Sequence, residues 1–350
     1  MTTKLLQEWF PGTETPFICN APMFTATNGK LAAAVSGAGG LGMIGAGFDF
    51  SPNSEQIQLL DQELTTARKL LGLESDTEGA LPVCIGFVTP ITTSEQFITN
   101  LTPVLKKHRP CGVWLFCPSP STGHPAILQY CRSLGQSWGL RTFIQVGTVA
   151  AAREAVYDGA DIIVAQGSDA GGHQWANGSG IVSIVPEAKE MLSSEFPDRT
   201  IPVIAAGGIV DGRGVVAALA LGKLIFHFTV CEESPVPEVT KAAILAASDG
   251  GVSTIKSTVH DDIQSVGFFP DLYDGRALIG KSYIDFENGV KVEDLVAQHN
   301  SAKAAGDESR SIQFAGTALG LVREKGKAAD VVKDVRSEAK RIIQELKTRI

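Results

Sequence analysis

The chain lacks the features that mark several large protein classes. Its six cysteines (Cys19, Cys84, Cys111, Cys117, Cys131, Cys231) include no CxxC pair and no metal-ligand spacing. A disulfide framework is therefore not expected, and a reduced, cytosolic protein is. Charge is also scarce, at 19% of residues, and the balance of 30 basic against 38 acidic residues gives −8. That balance argues against nucleic acid or an anionic membrane as partner, while leaving room for a local phosphate site. The start, MTTKLLQEWFPGTETP, has no apolar signal core, and the end, LKTRI, is not a peroxisomal tripeptide. Two uncharged stretches are long enough to test as membrane spans. Leu31 to Phe48 is 18 residues with six glycines, and Pro110 to Cys131 holds four prolines. Neither suits a spanning helix, so both read as soluble core broken by turns.

What is present is apolar residue and glycine: 44% hydrophobic, and 37 glycines in 350 residues. There is no Gly-X-Y period and no Gly/Ser tract, which excludes collagen-like and linker readings. Glycine beside apolar runs points to tight turns or to backbone held close to something else.

Short apolar runs alternate with helical patterns over the first 250 residues. The expected strands are Phe17–Ala21, Leu41–Gly45, Pro82–Phe87, Gly112–Phe116, Arg141–Gln145, Asp161–Ala165, Pro202–Ala206 and Leu224–Val230. The helical stretches between and after them are 29–36, 55–71, 95–107, 126–138, 149–157, 187–195, 212–219 and 238–247. Continuous apolar strands suit a parallel sheet covered on both faces. Eight such units make an α/β fold of the TIM (β/α)8 type the economical reading, with a doubly wound sheet as runner-up. No linker divides the chain, so residues 1–250 are expected to form the barrel. Residues 251–350 would be a C-terminal extension and terminal helix in the same domain, the helix covering 328–346 with a solvated mixed-charge face.

A parallel barrel places its active site at the C-terminal ends of its strands. That selects Ala21-Pro22-Met23, Gln145-Val146-Gly147, the run AQGSDAGGHQ at 165–174, and AAGGIVDGR at 205–213. Gly207-Gly208 before a helix forms a turn whose N–H groups, reinforced by the helix N-terminus, would suit a phosphate monoester; the same pair also serves as an ordinary structural turn. No GxGxxG stands at a strand–helix junction and no GxxxxGK[ST] occurs, so dinucleotide and P-loop readings lack support. Gly171-Gly172-His173 offers a general acid or base. Many histidines are merely satisfied core residues, but this one's strand-end place and flanking glycines favour function. His108 ends a helix, and His124, His260 and His299 stand in irregular or exposed-looking surroundings. No catalytic metal is expected, since HExxH and spaced ligand sets are absent. Ser168, Asp169 and His173 share one short loop without a GxSxG elbow, which disfavours a hydrolase triad. Trp114 and Phe116 could line a pocket or pack the barrel core.

These residues carry a resemblance. APM (21–23), LAAAVSGAGGLGMIGAG (31–47), VWLF (113–116), QVGTVAAAREAVYDGADIIVAQGSDAGGH (145–173), IPVIAAGGIVDGRGVVAALALG (201–222), EESPVPEVTKAAILAASDGG (232–251) and FAGTALGLV (314–322) resemble the nitronate monooxygenases, formerly 2-nitropropane dioxygenases. The length and the 232–251 segment are more similar to the fungal type than to bacterial enoyl-reductase relatives. The resemblance implies FMN lying across the strand ends. It places Ala21, Pro22 and Met23 against the flavin ring, Gln145 near it, Gly171 and Gly172 toward flavin and substrate, and Gly207 and Gly208 on the phosphate. It makes His173 the catalytic residue. The implied reaction is oxidation of an alkyl nitronate, or a nitroalkane, with O2 to a carbonyl compound and nitrite. The partners expected are this small molecule and O2, with no nucleic acid and no membrane; a homo-oligomer stays open.

One departure stands out. After Gly222 the chain reads KLIFHFTV, about four residues short of the family pattern, with Phe226 and His227 where the family has threonine and arginine. Since a one-residue slip flips every side chain to the other face, either the eighth strand is rebuilt or barrel closure and FMN binding suffer. An FMN-dependent reductase or dehydrogenase of the same superfamily, or a catalytically impaired binding protein, are the alternatives this leaves.

Overall fold

A computed structural model describes residues 2–74, 78–221, 223–226 and 228–348; His227 lies outside them. Eight parallel strands form one sheet: β1 (Ile18–Asn20), β2 (Gly42–Gly47), β3 (Leu81–Val88), β4 (Pro110–Phe116), β5 (Arg141–Val146), β6 (Ile162–Gln166), β8 (Val203–Ala206) and β9 (Lys223–Phe226). Side chains alternate across it. Met43, Cys84, Trp114, Phe143, Val164 and Ile204 meet inside, while Ile44, Ile85, Val113, Ile144, Ile163 and Val203 pack under the surrounding helices. Burial on both faces explains why the strands read as unbroken apolar runs. The N-terminal helix Thr2–Trp9 plugs the lower end, where Leu6 and the following Phe10 join the interior cluster and Arg141 lies 4.4 Å from the Trp9 ring.

The shortened eighth strand does not break the barrel. The strand is rebuilt over Lys223–Phe226, earlier than the expected Leu224–Val230, and pairs with β8 at Lys223 and Leu224 and with β1 at Leu224, Ile225 and Phe226. Phe228, Val230 and Cys231 then turn into the core as a loop. The sheet's two edges meet between β1 and β2, where Cys19 bridges Leu41 and the Leu41 N–H donates to the Ile18 carbonyl at 2.9 Å. The Asn20 side chain continues this seam. Its amide accepts from the Met43 N–H at 2.8 Å and donates to the Met43 carbonyl at 2.7 Å, standing in for a backbone partner.

The extension differs from expectation in two ways. It contributes β10 (Thr254–Ser257) and β11 (Tyr273–Leu278), which form an antiparallel sheet with β7 (Gly172–Trp175), a strand where the sequence suggested only loop. The helix after β9, Glu238–Ala246, packs through Ile244 on Val230, Ala315 and Leu319. The outer-ring place beside Gly212–Leu221 and Gly29–Gly37 is taken instead by the terminal helix Ala328–Lys347. That helix is not simply a solvated face: Val332, Val335 and Ala339 are buried, and buried Arg336 donates to the Ala38 and Gly39 carbonyls at 2.9 and 2.8 Å.

Candidate active site

The C-terminal mouth of the barrel holds a narrow pocket lined by Pro22, Phe24, Gly47, Gly86, Trp114, Phe116 and Gln145, among others. Its floor exists because two strands carry glycine where another chain crosses them. A Cβ on Gly45 would lie 2.2 Å from the Met23 carbonyl carbon, and one on Gly86 2.3 Å from Pro22 Cγ. The segment Ala21-Pro22-Met23 is thus laid flat over β2 and β3. Pro22 reaches the pocket, whereas Ala21 packs against the interior cluster and Met23 is tied by its N–H and carbonyl to the Thr27 hydroxyl. Gln145 is oriented unambiguously. The Trp114 indole N–H, a donor only, bonds its Oε1 at 3.0 Å, which leaves the amide NH2 as the free end.

His173 sits on β7, opposite Gly275 of β11. Its Nε2 is 2.7 Å from Asp261 Oδ1. The Phe269 ring stacks on the imidazole at 3.8 Å and 11°, and Phe314 lies tilted at 5.1 Å. A run of rings links this histidine to the pocket through Phe269, Phe268, Phe48 and Phe24. On the other side Trp175 and Tyr273 pack edge-on to Phe116. The mouth is therefore an aromatic chamber with a carboxylate-paired imidazole in its wall. Sequence reasoning missed Asp261; the only trace is an acidic pair, Asp261-Asp262, within the irregular extension.

The glycines of the motifs that carry the resemblance divide into two groups. Gly37 to Gly42 lie at or before the start of β2, on the opposite end of the barrel, and a Cβ on Gly42 would strike the Ala32 backbone at 2.0 Å. Gly171 is pressed on Ala315 and Gly316, again a contact between chain segments. Gly172, with φ of +75°, faces open space. Gly207 and Gly208 have φ of +103° and +73°, conformations costly for any other residue. Among the described residues neither of their N–H groups has a protein acceptor. The helix behind them is less available than expected. Asp211 Oδ1 already accepts from the Arg213 and Gly214 N–H groups, and Glu338 Oε2 from Gly212. Any anion there is held by the glycine pair, with little help from the first helical turn.

A second polar group missed by the sequence lies at the end of β6. Gln166 donates from Nε2 to the His173 carbonyl at 3.0 Å, while its buried Oε1 has no partner among the described residues. A buried acceptor left bare costs about 1–3 kcal/mol, so it marks a place where a ligand donor would be stabilising. Unclaimed donors at Gly207, Gly208 and Gln145, an unclaimed acceptor at Gln166 and a flat aromatic slot together fit a planar, phosphorylated heterocycle.

Three further histidines, His124, His108 and His260, are structural. His124, expected in an exposed-looking place, is buried at the start of helix Pro125–Gly135 and bonds the Thr89 hydroxyl through Nε2 at 2.7 Å; burial pushes its pKa down to about 3. His108 is buried against Asp61 at 2.8 Å, and burial lowers its pKa despite that carboxylate. His260 is likewise buried, with its pKa lowered chiefly by desolvation. Asp169 accepts from the Thr317 hydroxyl at 3.0 Å, and His173 takes its carboxylate from Asp261, so no hydrolase triad forms.

Known structures with this architecture include FabK from Thermotoga maritima, with a TM-score of 0.73 at 26% identity over 99% of both chains. The nitroalkane oxidase of Streptomyces ansochromogenes shares the fold, with a TM-score of 0.69 at 21% identity over 98% of this chain and 99% of that one. Fold and site together define the class as a (β/α)8-barrel oxidoreductase that uses a flavin. The family profile described as nitronate monooxygenase matches residues 135–338. A nitronate monooxygenase of Neurospora crassa is 43% identical over 97% of this chain and 93% of its own length. Nitronate monooxygenase npaC of Metarhizium robertsii is 33% identical over 97% and 95%. The chain belongs to the nitronate monooxygenase family.

Proposed function

We propose that the chain is an FMN-dependent enzyme oxidising alkyl nitronates with O2 to carbonyl compounds and nitrite. The observation that carries this is His173, held by Asp261 in the wall of an aromatic chamber at the barrel mouth. FMN, rather than a larger flavin nucleotide, is favoured by the site expected for its phosphate, two glycine N–H groups suited to a monoester. When bound, the flavin supplies the two-electron redox chemistry. Gln145 and Gln166 would hold its polar edges, and Pro22 would pack on its ring. Ala21, Met23, Gly171 and Gly172 complete the same proposed site, with Gly171 acting through the Ala315–Gly316 contact.

The rest of the mechanism belongs to this chain's own groups. The aromatic walls exclude water and accept an alkyl tail. His173 either takes the acidic proton of a neutral nitroalkane or, as imidazolium, faces the anion of a nitronate. All six cysteines are buried and none is held in a disulfide among the described residues, which suits a reducing cytosol, where we place the protein. O2 consumption with stoichiometric nitrite release, and no consumption of NAD(P)H, is the expected assay result. Consumption of NAD(P)H without nitrite would instead assign the site to a reductase. Among the described residues no helix is long and apolar enough to cross a membrane.

A further inference from the structure

We propose that Asp261 is the positioning residue of His173, holding the imidazole with Nε2 protonated so that Nδ1 is the atom that takes the α-proton of a neutral nitroalkane. This rests on the reading of His173 as the group that acts on substrate. An ionised carboxylate only accepts, so at 2.7 Å the Nε2 must donate, and the free lone pair falls on Nδ1. The ring has little freedom to turn away. Phe269 covers one face at 3.8 Å and Phe314 lies close at 5.1 Å, which leaves rotation in the ring plane as the motion for Asp261 to stop.

Asp261 is itself firmly set. It lies in the helix Val259–Gln264, its N–H bonds the Thr258 carbonyl at 2.9 Å, and its carbonyl accepts from Val266. The helix is anchored by Val259 and Ile263 packing on Leu295. The other mouth carboxylates are engaged elsewhere, Asp169 with Thr317 and Asp274 with Lys256 at 3.3 Å. Among the described residues Asp261 alone is within hydrogen-bonding reach of the ring.

The step balances without a further reactant. The α-C–H bond breaks, an N–H bond forms at Nδ1, and the C–H electron pair becomes the C=N bond of the nitronate, with the negative charge on the nitro oxygens. The Asp261 carboxylate compensates the imidazolium so formed. A nitronate supplied as such has already lost this proton and bypasses the step, so the two substrates should respond differently to loss of Asp261.

The test compares wild type, Asp261→Ala and Asp261→Glu, each loaded with flavin, on a neutral nitroalkane and on its preformed nitronate. For Asp261→Ala, kcat/KM on the nitroalkane should fall about 10- to 100-fold. Its nitronate oxidation, which needs no proton removed, should fall by a clearly smaller factor. Asp261→Glu, which keeps a carboxylate, should recover most of the nitroalkane activity. Equal losses on both substrates, or no loss on either, would overturn the proposal. A second measurement survives any folding failure of the variants: nitrogen NMR of histidine-labelled wild type without flavin or substrate. It should show neutral His173 protonated at Nε2, and a ring protonated at Nδ1 would overturn the assignment. Wild type that oxidises neither substrate, yet shows the expected tautomer, would sink the reading of the site while leaving the His173–Asp261 geometry intact.

Discussion

His173 owes its setting to residues that its own sequence neighbourhood does not contain. Two glycines before a histidine, after an apolar strand, were enough to single it out. Asp261, Phe269 and Phe314, which orient it, come from the extension and could not be paired with it by any local pattern. Gln166 was hidden for a different reason, because its bare Oε1 is visible only once burial and partners are known. Replacing His173 with Asn should leave flavin bound and slow nitroalkane turnover by about 10²- to 10⁴-fold, measured by steady-state kinetics. An unchanged rate would remove His173 from the mechanism.

His124 yields a prediction about stability rather than rate. Burial holds its folded pKa at about 3, below the value of about 6.5 expected for an unfolded chain. Between these values the unfolded state binds more protons, so stability rises with pH through this window and is lost as pH falls. One such group contributes a slope of up to about 1.4 kcal/mol per pH unit. The fall in urea midpoint between about pH 7 and about pH 5 should be smaller in His124→Gln than in wild type. An equal fall would assign the acid sensitivity to other groups, among them His108 and His260, whose pKa values are also lowered by burial.

At the level of elements, β1–β6 and β8 were legible because both faces are buried, which gives each an apolar run. β7, β10 and β11 were not. Gly172–Trp175 and Thr254–Ser257 have four residues each, and β11 carries glycine at its centre, so their alternation is too brief to stand out. The pairing of β7 with β11 also joins segments about a hundred residues apart, which no local periodicity reveals. The seam between β1 and β2 was equally invisible, since it is sealed by a side chain. Asn20→Ala would strip partners from the buried Met43 N–H and carbonyl and should cost about 2–4 kcal/mol, read from urea unfolding. A loss below about 0.5 kcal/mol would show that the seam relaxes onto other partners.

For the whole molecule, the extension is part of how the site and the barrel are built. It leaves the barrel after β9, supplies two strands beside His173 and the carboxylate that orients it, and returns as the helix that fills the outer ring. Glu338 and Arg336 fasten that helix to Gly212 and to the Ala38 and Gly39 carbonyls. Removing residues 328–350 should expose the apolar surface that Val332, Val335 and Ala339 now cover. The expected result is insoluble protein or protein without bound flavin; a soluble, flavin-loaded truncation would contradict the ring role assigned to the helix. The sequence alone suggested a terminal helix of mixed charge, because its apolar stripe is narrow and its binding groove is made by helices far earlier in the chain.

The barrel mouth, in the function proposed for it, binds flavin and delivers a nitronate to it. The most direct measurement mixes the flavin-loaded protein with a preformed alkyl nitronate under anaerobic conditions and follows the visible flavin band. The band should bleach within the turnover time, then return on admission of air as nitrite appears. Persistent colour under nitronate, in a protein shown by its spectrum to hold flavin, would contradict the account.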